Sequence, residues 1–267
     1  MSVVEITRPR DGVATITLNR PRALNAMNGE LIQGLWDAFA ELKHDRTCRV
    51  IVLTGAGKGF CAGLDLNEGA MPTNALGLGR AQTGLAVQQS IANLVPTMRS
   101  MRQPIIAAVN GAASGGGLGL ALASDIRIAA RSARFNVAFV RIGLSGCDIG
   151  VSWILPRLIG ASRAYDLMLT GRFVAADEAQ QIGLVVKVVD DGAVMDAALD
   201  YAELILANSP FGVQMTKEVM WSQLEISSMH AGIDLENRTQ LLATQTSDMT
   251  EAMQAFIEKR PPRFTDH

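Results

Sequence analysis

The sequence predicts an α/β fold that ends in a helical region, and three observations carry this. Short β-branched runs bounded by Gly, Asn or Asp alternate with helical patterns over residues 1–196. From about Ala197 the β-like runs cease, and residues 197–267 read as helices alone. Two glycine-rich turns also follow apolar runs of strand type.

Taken in order, Val3-Val4-Glu5-Ile6 opens with a strand-like run, and Val13-Ala14-Thr15-Ile16-Thr17-Leu18 supplies a second strand. Residues 29–43 place Leu31, Leu35, Phe39 and Leu42 on one helical face. Val50-Ile51-Val52-Leu53-Thr54 and Ile105-Ile106-Ala107-Ala108-Val109 read as buried strands, with a helix over 85–101 between them. Ile126-Arg127-Ile128-Ala129 and Val185-Val186-Lys187-Val188-Val189 continue the strands, with a helical pattern over 151–158. Helices are then expected over 197–207, 210–221, 227–243 and 248–258.

Composition narrows the function classes. The 267 residues are 48% hydrophobic and 19% charged, which is globular, and the net charge of −2 offers no global positive field for nucleic acid or anionic lipid. Cys48, Cys61 and Cys147 are odd in number and lack C-x-x-C spacing, as reduced intracellular thiols would be. No basic-then-apolar leader opens the sequence, so a cytoplasmic protein is expected. The apolar stretch 105–123 has membrane-spanning length, but Asn110, Ser114 and five glycines interrupt it; it reads as buried strand, turn and helix, not a membrane segment.

The turns are Phe60-Cys61-Ala62-Gly63-Leu64-Asp65-Leu66 and Val109-Asn110-Gly111-Ala112-Ala113-Ser114-Gly115-Gly116-Gly117. Glycine lets main chain approach a ligand with no Cβ in the way, and two converging backbone N–H groups stabilise an enolate or tetrahedral oxyanion. A helix beginning near Gly116 would add its positive end. His44, His230 and His267 neighbour no metal-like cluster, so no metal is expected. No G-x-S-x-G elbow is present, and Gly55-Ala56-Gly57-Lys58-Gly59 lacks Walker spacing.

Both turns, in this order, resemble those of the crotonase (enoyl-CoA hydratase/isomerase) superfamily. The resemblance runs from Leu18-Asn19-Arg20-Pro21-Arg22-Ala23-Leu24-Asn25-Ala26 to Phe256-Ile257-Glu258-Lys259-Arg260. It implies a spiral of ββα units, with the C-terminal helices building a homotrimer or homohexamer. It also implies an acyl-CoA thioester substrate held with its oxygen between the N–H groups of Leu64 and Gly116. No separate cofactor is implied, coenzyme A entering as part of the substrate. By position, Arg22 and Ala23 match the segment meeting its phosphates and adenine, Ala62 the carbonyl accepting from the adenine amino group, and Lys259 a basic residue near the nucleotide.

The acid/base positions depart from the family. Hydratases of this kind carry two glutamates that activate water; the matching positions hold Gly119 and Phe139, neither of which exchanges a proton. Asp148 stands two residues before Gly150, as does an acid/base aspartate of dienoyl-CoA isomerases, after one inserted residue. It reads either as a proton carrier or as an N-cap of the helix that follows. Burial between Cys147 and Ile149 would favour its neutral form. Glu68 is a second candidate, bordering a loop over 69–84 whose residues 71–83 are expected to line the acyl pocket with Phe139, while Asp65 reads as a turn-stabilising carboxylate. The expectation is a thioester-enolate enzyme of the hydratase/isomerase type, with two alternatives: a double-bond isomerase using Asp148, or a catalytically silent acyl-CoA binder or interaction protein.

Overall fold

In a computed structural model of the chain, the residues described are 2–72, 75 and 77–267, so residues 73, 74 and 76 of the expected pocket loop lie outside them. The strands form two sheets. β1 (Val4–Arg10), β2 (Val13–Leu18), β3 (Val50–Gly55), β5 (Ile105–Val109), β7 (Ile126–Ala130) and β10 (Lys187–Val189) make the larger one, in that spatial order. β4 (Gly59–Cys61), β6 (Ala112–Ser114), β8 (Arg134–Asn136) and β9 (Val174–Ala175) make the smaller. The chain thus steps from the large sheet to the small one and back through helices three times, at β3–β4, β5–β6 and β7–β8. That is the expected spiral of ββα units, and the pairing between successive turns is parallel.

The large sheet is buried on both faces, which is why its strands read as apolar runs. On one face Ile16, Leu18, Ile51, Leu53, Ile105 and Val109 pack with α1 (Gly29–His44), and Asn28 caps that helix by accepting the Leu31 N–H at 2.9 Å. On the other face Val13, Val50, Val52, Ile106 and Ile128 pack against α8 (Val194–Leu206) through Val194, Ala198 and Ala202. The boundary expected at residue 197 therefore falls inside a helix that belongs to the core. The apolar stretch 105–123 resolves into β5, the turn, β6 and α4 (Gly116–Ala123), all eight helical residues being buried. Among the described residues no helix is long and apolar enough to cross a membrane.

The helix expected over 85–101 divides into α2 (Arg80–Ala92) and α3 (Leu94–Ser100). Pro96 has no N–H to donate to Ala92, and its ring would strike that carbonyl in a continuous helix. α5 (Val151–Ile159), α6 (Ala161–Thr170) and α7 (Ala176–Gln181) return the chain to β10, which starts at Lys187 because the Val185 N–H is taken by the Ala179 carbonyl. α9 (Pro210–Gln223) is fastened to the core by buried Lys217. Its ammonium donates to the carbonyls of Met98 and Gln103 and lies 2.9 Å from Asp125, and burial lowers its pKa. α10 (Met229–Ala243) and α11 (Ser247–Glu258) leave Met229, Ile233, Leu241, Met253, Phe256 and Ile257 exposed.

Candidate active site

The first glycine turn leaves β4 at Cys61 and bends at Gly63, whose φ of 96° is a left-handed value suited to glycine. It pairs with Met27 as a single parallel bridge: the Met27 N–H donates to Gly63 O at 2.7 Å and the Asp65 N–H to Met27 O at 2.9 Å. Bonding thus alternates around Leu64, whose own N–H has no hydrogen-bond partner among the described residues. Asp65 locks the turn from behind. It accepts the N–H groups of Asn67 (3.0 Å) and Glu68 (3.1 Å) and the Arg20 guanidinium (2.9 Å), which holds its carboxyl below the usual carboxylate range. Asp65 is the turn-stabilising carboxylate that the sequence suggested.

The second turn is built without charge. Gly115 takes φ 50°, ψ −116° and donates its N–H to Asn136 O at 3.1 Å, ending β6 against β8. Gly116 is then the first residue of α4, and its N–H, at the positive end of a buried helix, has no partner among the described residues. A Cβ on Gly63 would stand 2.9 Å from Ser114 O and 3.5 Å from Gly116 N, so the two turns touch. A Cβ on Gly117 would stand 2.1 Å from Cys61 O, and one on Gly116 2.2 Å from Met27 Cε. Burial pushes the Cys61 thiol up to about 12, so it remains a packed, protonated side chain.

Asp148 is half-buried just before α5. Its Oδ1 accepts the Gln88 side-chain amide from α2 and the Ile149 N–H at 2.7 Å. The N-cap alternative is not what forms: α5 is capped by Gly150 at φ 72°, without a side-chain bond, and the Val151 N–H goes to the backbone carbonyl of Asp148. Its carboxylate is left to Gln88 and Ile149, and Ile149 packs onto α4 beside Gly116.

The family assignment follows from comparison. The sequence model of a family described as Enoyl-CoA hydratase/isomerase matches residues 8–267. The chain belongs to the enoyl-CoA hydratase/isomerase family. It is 41% identical over 267 residues, 100% of this chain and 94% of the other, to the probable enoyl-CoA hydratase EchA12 of Mycobacterium tuberculosis (strain ATCC 25618 / H37Rv). It is 40% identical over 255 residues to the 1,2-epoxyphenylacetyl-CoA isomerase of Escherichia coli (strain K12), covering 95% of each. A crystal structure of a probable enoyl-CoA hydratase/isomerase from Mycobacterium abscessus superposes with a TM-score of 0.93 at 40% identity, covering 99% of each chain.

In this hydratase/isomerase-type enzyme the two positions at which the family resemblance implies glutamates are apolar and closed. Ile149 lies over Gly119, and Phe139, 8% exposed, lays its ring 3.5 Å from the Cβ position of Gly115. Glu68, the second acid/base candidate, is engaged elsewhere: one oxygen accepts from Arg20 at 2.7 Å and the other from Asn28 at 2.6 Å. Arg22 and Ala23 form a single helical turn with Pro21, and the next carbonyl, Leu24, accepts the Ala62 N–H at 3.0 Å, which places these three expected coenzyme A contacts side by side. Lys259 stands exposed at the end of α11 with φ 54°, and no hydrogen bond or ion pair among the described residues joins it to them.

Sequence reasoning missed three residues. Arg20 ties Asp65, Glu68 and Ala26 O into one cluster, Gln88 holds Asp148, and Ile149 covers Gly119. Only Arg20 carried a signal, lying within the recognisable Asn19-Arg20-Pro21 segment.

Proposed function

We propose that the enzyme shifts the double bond of an enoyl- or dienoyl-CoA thioester through an enolate. The thioester oxygen sits between the N–H groups of Leu64 and Gly116, two donors without a partner among the described residues, the second at a helix N-terminus. Asp148 removes a proton from the carbon chain as the oxygen gains charge, and returns it to another carbon, so one carboxylate suffices and no water is consumed. What supports this reading is that Ile149, the residue after Asp148, packs against Gly116 and Gly119, while Gly119 and Phe139 stand where the family resemblance implies two glutamates. Hydration through two glutamates has no residues to run it at those positions. Coenzyme A enters as part of the substrate, against Arg22, Ala23 and Ala62, with Lys259 contributed near the nucleotide, and no further cofactor takes part.

The exposed apolar side chains of α10 and α11 fit an assembly built on trimers, the oligomer that would bring Lys259 of one copy to the site of another. Sedimentation checks this, a monomer at micromolar concentration being the contrary result. Three free cysteines, two of them buried, suit a reducing, cytoplasmic setting.

The test is turnover of a panel of CoA thioesters by the parent and by Asp148→Asn, which keeps the shape and removes the titrating proton. Double-bond migration should fall by about a hundred- to ten-thousand-fold. Turnover within a few-fold of the parent would remove Asp148 from the chemistry.

A further inference from the structure

Ile149 is a β-branched residue at φ 42°, in the left-handed region that such side chains rarely occupy, and it is 3% exposed. The bonds around it fix that conformation. The carboxylate of Asp148 accepts the N–H of Ile149 itself, the Asp148 carbonyl accepts Val151 N–H at 2.8 Å, and Gly150 follows at φ 72° to start α5. The consequence is a side chain turned onto α4. Its Cγ2, Cγ1 and Cδ1 lie 2.7, 3.1 and 3.2 Å from where a Cβ on Gly119 would stand, and Cδ1 lies 3.9 Å from the Cβ position of Gly116. The volume into which a side chain at residue 119 would project is filled by hydrocarbon from residue 149.

We propose that Ile149 is a specificity-determining residue of this site. Held on the left-handed backbone, it walls the space between the Gly116 turn and Asp148 with methyl and methylene groups. With the Phe139 ring on the neighbouring side, it offers no group of its own to bond a water or a hydroxyl on the acyl chain, where a glutamate at residue 119 or 139 would. A hydrocarbon acyl chain loses nothing there, whereas a 3-hydroxyacyl chain buries an unsatisfied hydroxyl. The inference rests on the acyl-CoA reading above and deepens it by naming which acyl chains are refused and why Gly stands at 119.

The experiment measures binding, not turnover: titration calorimetry of butyryl-CoA against 3-hydroxybutyryl-CoA on the parent, Ile149→Gly and Ile149→Ala. The parent should prefer butyryl-CoA by about ten- to a hundredfold, and Ile149→Gly should bring the two within about threefold. Equal affinities in the parent, or a preference unchanged in both variants, would overturn the inference while leaving acyl-CoA binding intact. Binding of neither thioester would overturn the acyl-CoA reading and this inference with it. The packing is checked separately by thermal melting. Gly119→Ala should lower the Tm in the parent and be tolerated in Ile149→Gly, since alanine is otherwise the better helix residue. An equal loss in both backgrounds would show that Ile149 does not press on residue 119. If Ile149→Gly does not fold, Ile149→Ala carries both measurements, because it keeps the Cβ and removes only the branches that form the wall.

Discussion

The two glycine turns present the same group, a backbone N–H without a partner among the described residues, but they are held in opposite ways. Around Leu64 the main chain is fixed by charge: Asp65 accepts from two N–H groups and from Arg20, which also grips Glu68 and the Ala26 carbonyl. Around Gly116 no charge takes part, and the turn is fixed because there is no room for it to be anywhere else: a Cβ on Gly117 would stand 2.1 Å from Cys61 O. A donor held by ion pairs can be loosened by an isosteric substitution or by acid. A donor held by close packing yields only when atoms are added or removed. The proposed mechanism needs both donors aimed at one oxygen, so on that proposal the softer turn is where rate can be lost without loss of fold.

The sharpest way to break that contrast is Gly117→Ala. The obstructing atom is a backbone carbonyl, which cannot swing aside as a side chain would, so the substitution should destabilise by about 1–3 kcal/mol or more. Thermal melting measures it, and an unchanged Tm would show that the second turn is not set by contact. Arg20→Met is the next largest in effect and should act on rate more than on fold. It keeps most of the aliphatic stem, releases Asp65 and Glu68, and lets the Leu64 N–H drift, costing about ten- to a hundredfold in kcat. A Tm loss as large as that of Gly117→Ala, with kcat unchanged in the protein that remains folded, would contradict the division of labour.

The smallest effect is set by pH. The carboxyl of Asp65 is lowered from 3.8, first by Arg20 and then by the N–H groups of Glu68 and Asn67, so the folded state binds its proton less readily than the unfolded chain. The stabilisation is fully present above pH 3.8 and disappears as pH falls through the lower folded value. The Tm deficit of Asp65→Asn relative to the parent should therefore be full above pH 3.8 and converge to nothing in stronger acid, as melting curves across pH would show. No convergence would place the acid sensitivity elsewhere, for instance at Glu251, whose carboxyl Arg260 holds at about 2.

What the sequence by itself determined were features written locally. β-branched runs with Gly and Asn at their ends became β2, β3, β5 and β7; the apolar stripe of α1 is buried at Leu31, Leu35, Phe39 and Leu42; and glycine appears where main chain must pass main chain. The resemblance of both turns was legible for the same reason, since such close approach excludes every residue but glycine. Gly119 and Phe139, where the resemblance implies two glutamates, were equally plain as residues that exchange no proton. What only the tertiary structure decided were contacts between distant residues: Arg20 with Glu68, Gln88 with Asp148, and Gly119 beneath Ile149. It also placed α8 on the sheet, moving the helical region's departure from the core beyond residue 197. None of these has a local signature. Each partner alone reads as an ordinary surface amide, surface charge or buried aliphatic side chain, and acquires its role only when the spiral brings a second segment within a few ångströms of it.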